Sequence, residues 1–356
     1  MFDRMIDRIM GRGDAAVTTP PMDGALRPNQ RLEELDATPA PAPDDLAEWG
    51  GAIVYSSGRE LRDVKNGSVL RTFDAPITCL GAGGSALAIG LSGSGLHLLH
   101  ADGSIAQVNS GKLRNPTAVA FAGDDIVACE GSTKRAPDEW KRDLMEAGYA
   151  GPGTGSVWIF GRDRSGRRLA NGLRYPNGII AGAQGTIVVS ESWSHRLVAV
   201  DPRGGLVRVV LPDLPGYPAR MACASDGGVW LSIFAPRSQL IEFVLREPAY
   251  RRRMMAEINP DYWIAPALAN SRSFLEPLQG GGVKQMGVLK PWAPSRSYGL
   301  VVKLDAAWQP VLSLHSRADG TRHGTTSVLE MEGNLYIASK GGDAILSVPV
   351  EELIET

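Results

Sequence analysis

Cysteine is scarce in this 356-residue chain: Cys79, Cys129 and Cys223 are the only three. They are too few and too scattered for a disulfide framework or a zinc site. Each sits inside an apolar run, where a small buried thiol is expected. No stretch of about 18 apolar residues occurs, so no membrane-spanning helix is expected. The opening MFDRMIDRIMGRG lacks the apolar core of a secretory signal; together with reduced cysteines this points to a cytoplasmic protein. Neither sign of charge dominates, with 37 Lys and Arg against 39 Asp and Glu and a formal net charge of −2. That balance argues against a nucleic-acid partner, which needs a concentrated basic face. No Gly-x-Ser-x-Gly elbow is present, which excludes an α/β-type serine hydrolase.

Glycine (42) and proline (24) are abundant, as many short strands joined by tight turns require. From about Ala52 a unit repeats: an apolar strand, a Gly- or Asp-containing turn, a second apolar strand, then a more polar hairpin. Copies begin at Ile77, Pro116, Pro176, Pro218 and Thr326, and the stretch from Ile53 to Phe73 supplies a sixth. A four-stranded unit of roughly 40 residues is the signature of a β-propeller blade. Because each blade buries both faces against its neighbours, its strands read as apolar runs without clean alternation. Neither WD dipeptides nor kelch signatures occur. The expected fold is therefore all-β, a six-bladed β-propeller over residues 51–356, preceded by a separate segment 1–50. In that segment Phe2, Met5, Ile6, Ile9 and Met10 mark one face of a short helix. Such a helix suits docking on the body, on a second copy in an oligomer or on a membrane surface; docking within the protein is the expectation, since a membrane helix normally carries a richer basic face. The Pro-, Ala- and Asp-rich run Thr18 to Asp45 reads as an extended tether. Two insertions break the period. Residues 131–155 carry a short helix with Asp138 at its cap. Residues 246–297 hold Tyr250, Tyr262, Trp263, Phe274 and Trp292, as a lid over a binding site would.

The third repeat, Arg174-Tyr-Pro-Asn-Gly-Ile-Ile followed by Gly185-Thr-Ile-Val-Val-Ser-Glu-Ser-Trp-Ser-His-Arg-Leu, resembles a blade of strictosidine synthase-like proteins. Leu214-Pro-Gly-Tyr-Pro, Tyr298-Gly-Leu-Val-Val-Lys-Leu-Asp and Glu332-Gly-Asn-Leu-Tyr-Ile-Ala-Ser resemble later blades of the same family. The wider group includes calcium-dependent lactonases and arylesterases of the gluconolactonase, SMP-30 and paraoxonase type. The resemblance implies a six-bladed propeller with its site on the central axis. The metal-dependent members carry a Glu, two or more Asn and an Asp at the starts of inner strands. Here Asn177 matches one ligand. Thr117 stands where a second Asn is expected, Ala219-Arg220 where the family shows Asp-Asn, and Pro76-Ile77 where a Glu is expected. A calcium ion needs about six to eight oxygen ligands, and a guanidinium beside it repels it. No metal or other cofactor is therefore expected; calcium would return only if the alignment at Ala219-Arg220 slipped. The Glu that serves strictosidine synthases aligns with Thr326, which is no ordinary base.

The residues expected at the axis are Thr117, Asn177, Arg220 and Thr326. Arg220 offers a fork for a substrate carboxylate or phosphate, or alternatively a structural ion pair. His323, just before the last inner strand, is a candidate general base, with Asn177 and Thr326 completing a catalytic set. Glu130 and Glu191, at the ends of equivalent strands, are candidates for substrate contact, though structural bracing suits both. Trp263 and Trp292 are candidate lid contacts. The expected function is an enzyme acting on a small, possibly anionic, molecule, hydrolysing a lactone or ester without calcium. The alternatives are an amine–carbonyl condensing enzyme and a non-catalytic binding propeller.

Overall fold

The computed structural model describes residues 19–354, apart from 85, 109–110, 162–164, 183–184, 206, 270–275, 277–283, 286–287 and 290–295. The amphipathic segment 2–10, Phe274 and Trp292 therefore lie outside the described residues. Six antiparallel four-stranded sheets form the blades of a propeller. Blade I spans Leu46–Trp49, Ala52–Ser57, Glu60–Asp63 and Val69–Thr72, and blade II starts at Ile77–Gly83. Blades III and IV start at Pro116–Ala122 and Pro176–Ala181, and blades V and VI at Gly216–Cys223 and Thr325–Met331.

Two strands come from the segment 1–50 that precedes the expected propeller. Leu46–Trp49 is the innermost strand of blade I, and Asp36–Pro39 pairs with Ala344–Pro349 as the outermost strand of blade VI. The chain thus closes its own ring by joining its beginning to its end. Immediately before this strand, the short helix Arg31–Glu34 drops Leu32, fully buried, into the core between blades V and VI. Glu33 accepts hydrogen bonds from Ser316 Oγ at 2.8 Å and from the Arg322 N–H at 3.0 Å, pinning the helix to the loop between the same blades.

Six apolar clusters fill the six gaps between adjacent blades, for example Val127, Val157, Ile179, Val189 and Val198 between blades III and IV. Cys79 and Cys129 are buried as expected; Cys223 is exposed. Gly333 (φ 75°) follows Glu332 (φ 50°) in the two-residue turn between the paired residues Met331 and Asn334. A turn with two positive φ angles matches the strand twist and favours glycine. Gly178, in the Pro-Asn-Gly motif, answers a different demand: a Cβ there would lie 2.2 Å from the carbonyl oxygen of Ala219 in blade V.

In each blade the first strand runs away from one face and the second returns to it. The starts of the inner strands and the connections between second and third strands therefore share that face. Both insertions are such connections, joining Glu130 to Gly155 in blade III and Pro236 to Leu300 in blade V. They carry the helices Trp140–Ala147, Gln239–Arg246 and Pro248–Glu257. A seventh apolar cluster, including Leu144, Ile241, Leu245, Met254 and Trp263, seals these helices onto Tyr175, Trp193, Tyr217 and Phe234 of the propeller. Asp138 does not cap the first of them. It sits in the single turn Pro137–Glu139 and makes no capping hydrogen bond.

Leu32 tests whether this N-terminal segment is part of the core. Leu32→Ala should cost about 2–5 kcal/mol, the range for emptying a fully buried leucine site, measured as a shift in the denaturant midpoint. A change under about 0.5 kcal/mol, as at a surface site, would contradict this placement.

Candidate functional site

Bulges place the site residues. The first two strands slip register at Ile77/Cys79, Pro116/Ala118, Pro176/Gly178 and Thr325/Ser327. The residues skipped are Thr78, Thr117, Asn177 and Thr326; in blade V the slip spans Ala219 and Arg220. A bulge re-aims the extra side chain, and here every re-aimed residue lines one axial cavity of about 350 Å³. In blade I the equivalent position belongs to Asp44, just before the inner strand. Trp140, Tyr175, Phe234 and Leu268 form apolar wall, and Asp138 and Lys340 also line the space. Trp140 and Leu268 come from the two insertions, so both cover this mouth.

The cavity floor is a buried ion cluster. Arg220, 9% exposed, reaches across the axis from blade V. Its Nη1 donates to the carbonyl oxygens of Asp44 (3.0 Å) and Thr326 (3.4 Å). Its Nη2 donates to Asp44 Oδ2 (3.0 Å) and the Thr78 carbonyl oxygen (2.6 Å). Nε lies 3.0 Å from Asp45 Oδ2, in ion contact but too bent for a hydrogen bond. Asp45 Oδ1 accepts from Ser327 Oγ at 2.6 Å, and Oδ2 accepts from the Leu80 N–H at 2.7 Å. Lys340 Nζ sits 2.5 Å from Asp44 Oδ1. Burial raises the Asp44 carboxyl, but the charges of Lys340 and Arg220 outweigh it and hold the group at about 2. For Asp45 burial prevails over the Arg220 charge, and its carboxyl is pushed up.

A guanidinium has five N–H donors; Arg220 gives the four on Nη1 and Nη2 to protein oxygens, and its buried Nε lies in ion contact with Asp45. The structural ion pair is therefore the arrangement found, and both terminal nitrogens are engaged within the protein. The pair Asp44-Asp45 also revises the view that the axis lacks carboxylates: Ile77 opens blade II, and the blade I entry carries two acids. Thr117 Oγ1 donates to the Pro176 carbonyl oxygen at 2.6 Å, and Thr326 Oγ1 to that of Pro43 at 3.4 Å. The Asn177 amide and the Asp138 carboxylate line the cavity, and no described residue hydrogen-bonds either side chain. Tyr175, stacked on Trp193 at 4.3 Å, adopts φ 59°. A left-handed backbone at a tyrosine is the kind of strain that gathers at functional sites.

The other sequence candidates lie elsewhere. His323 is 1% exposed and does not line the cavity. Its Nε2 donates to the Arg317 carbonyl oxygen at 2.7 Å, which leaves Nδ1 to accept from Ser297 Oγ at 2.9 Å. Burial lowers its pKa. Glu191 accepts from the Arg174 N–H at 2.6 Å and pairs with Arg196 Nε at 2.6 Å. Glu130 accepts from the Arg114 N–H at 3.1 Å in the blade before. Both brace the loop entering an inner strand. Trp263, fully buried, donates Nε1 to the Ile258 carbonyl oxygen at 2.9 Å and packs the second insertion onto the body. The residues missed were Asp44, Asp45, Thr78, Asp138 and Lys340. Pro43-Asp44 was the available signal, since Pro116-Thr117 and Pro176-Asn177 enter their strands in the same way.

No family model matches the chain, and no curated protein matches it. Among solved structures it is similar to a gluconolactonase from Xanthomonas campestris, at 17% identity over 94% of this chain and 95% of that one, with a TM-score of 0.56. It is also similar to a luciferin-regenerating enzyme, at 14% identity over 88% of each chain, with a TM-score of 0.51. At these identities the likeness is one of fold: the chain is a six-bladed β-propeller. Among the described residues no helix is long and apolar enough to cross a membrane.

The ion cluster makes a pH prediction. Asp44 is held at about 2 against an ordinary value of 3.8, so its folded pKa lies below its unfolded one. It contributes about 2 kcal/mol that is present above pH 4 and lost as pH falls through about 2. Lys340→Met should move this loss to higher pH, read from denaturant unfolding between about pH 2 and 6. Coincident pH curves for parent and variant would rule out the coupling. Separately, His323→Gln should lower the melting temperature.

Proposed function

We propose that the chain is a small-molecule enzyme of the strictosidine synthase-like group that hydrolyses a lactone or ester in the axial cavity without bound calcium. The observation that carries this reading is the cavity itself. On a neutralised ionic floor it presents the unpartnered Asn177 amide, the Lys340 ammonium and the Asp138 carboxylate beneath aromatic wall. Concave sites with apolar lining and a few convergent polar groups are where small ligands bind. The Asn177 N–H groups and Lys340 supply the donors that a developing oxyanion needs. Asp138 accepts the proton of the attacking water as its oxygen bonds to the carbonyl carbon, and returns that proton to the leaving alkoxide as the acyl C–O bond breaks. The similarity to a gluconolactonase from Xanthomonas supports the choice of a lactone. Calcium does not fit the floor: its two carboxylates already neutralise Arg220 and Lys340, and the guanidinium fills the space between them.

A non-catalytic binding protein is the second reading. It is favoured by Asp44, which at a pKa of about 2 is too weak a base for chemistry near neutral pH. A panel of lactones and aryl esters, assayed with and without chelator, separates the two. Chelator-insensitive turnover is expected, falling about 100-fold in Asn177→Ala and Asp138→Asn with melting temperature unchanged. His323→Gln should leave the pH–rate profile unaltered. Binding without turnover of any panel member would support the second reading. Calcium should leave the melting point of the parent protein unmoved, whereas a bound ion stabilises by RT ln(1 + [L]/Kd); a clear rise would overturn calcium independence.

A further inference from the structure

We propose that the Arg220 guanidinium is a covalently tethered substitute for a metal ion, occupying an oxygen cage that would otherwise hold a divalent cation. This rests on the calcium-independent reading above and says what replaced the ion. The cage has five oxygens: Asp44 Oδ2 and its carbonyl, Asp45 Oδ2, and the carbonyls of Thr78 and Thr326. They come from the entries to blades I, II and VI, and all lie within 3.4 Å of a guanidinium nitrogen. Two anionic carboxylates with several carbonyl oxygens are the donor chemistry of a hard cation. Charge neutrality alone would need one carboxylate; here two carboxylates are gathered in addition to the carbonyls that satisfy the N–H donors. Arg220 draws oxygens from three blades toward a single positive centre. Arg220 also lines a second axial cavity, of about 340 Å³, so this residue stands between two spaces on the central axis. A tethered cation cannot dissociate, so the closure of the ring no longer depends on the free concentration of any ion.

Removing the side chain should convert one state into the other. Arg220→Ala leaves the oxygen cage with uncompensated charge, and its melting temperature should fall by about 5 °C or more in chelator. Calcium chloride at about 1 mM, an affinity range reached by modest oxygen sites, should restore several degrees. Isothermal titration should show one calcium bound per chain. Guanidinium chloride at the same low concentration should rescue partially, as the free form of the missing group. Arg220→Ala/Asp45→Asn, with one cage carboxylate neutralised, should lose the calcium response. If Arg220→Ala does not stay soluble, the refolded yield with and without calcium is the readout, and a higher yield with calcium is expected. The proposal is overturned if Arg220→Ala takes up no calcium and gains neither stability nor yield from it. That result differs from a calcium-stabilised parent protein, which would instead remove the reading on which the proposal rests.

Discussion

Everything at the centre of this molecule is organised around one buried positive charge. Taking a guanidinium and two carboxylates out of water costs several kcal/mol per ion unless each finds compensation in place. Arg220, carried by blade V, finds it only if blades I, II and VI present their oxygens to the same point on the axis. A propeller's inter-blade contacts are apolar and nearly non-directional; the ion cluster adds the directional restraint. It also decides what the cavity above can do. Its charges cancel internally, so a ligand meets Asn177, Asp138 and the outer face of Lys340 in place of a free guanidinium.

The second organising device is local. A regular antiparallel pair would alternate side chains between the two blade faces and none would point down the axis. One extra residue at the mouth end of an inner strand breaks that alternation, and the chain does this in five blades. Glu130 and Glu191 then fix the entering loops by accepting backbone N–H groups that have no strand partner. The walls are set independently, by helices seated on an aromatic cluster. Floor and wall thus come from different physics, ionic and directional below, apolar and adaptable above.

The strand count is legible in the amino-acid sequence because double-sided burial forces apolar runs, and turn residues punctuate them. Asn177 is legible because Pro-Asn-Gly combines a strand entry, a bulge and a close backbone approach in three adjacent residues. Asp44 and Asp45 are not, because Pro, Ala and Asp together read as a solvated tether; only the pairing of Leu46–Trp49 with Ala52–Ser57 shows otherwise. His323 illustrates the opposite error. A histidine in a polar loop looks available, yet Ser297 and Arg317, distant in sequence or hidden in another loop, occupy both ring nitrogens. Trp263 reads as a lid contact for the same reason: composition marks an aromatic but not the direction it faces.

The closing strand has a consequence for how the ring forms. Asp36–Pro39 cannot pair until Ala344–Pro349 exists, and the adjoining hydrogen bond from the Ala42 N–H to Asp343 spans 301 positions. Closing so long a loop carries a large entropy cost before any contact offsets it, and such non-local pairing slows folding. On the ribosome, blades I to V can be complete while blade VI still lacks its last strand and Arg220 still lacks the Thr326 carbonyl. Until Ala344–Pro349 emerges, the first strand waits with an unpaired edge, and that interval is when the chain is most exposed to pairing with another copy of itself.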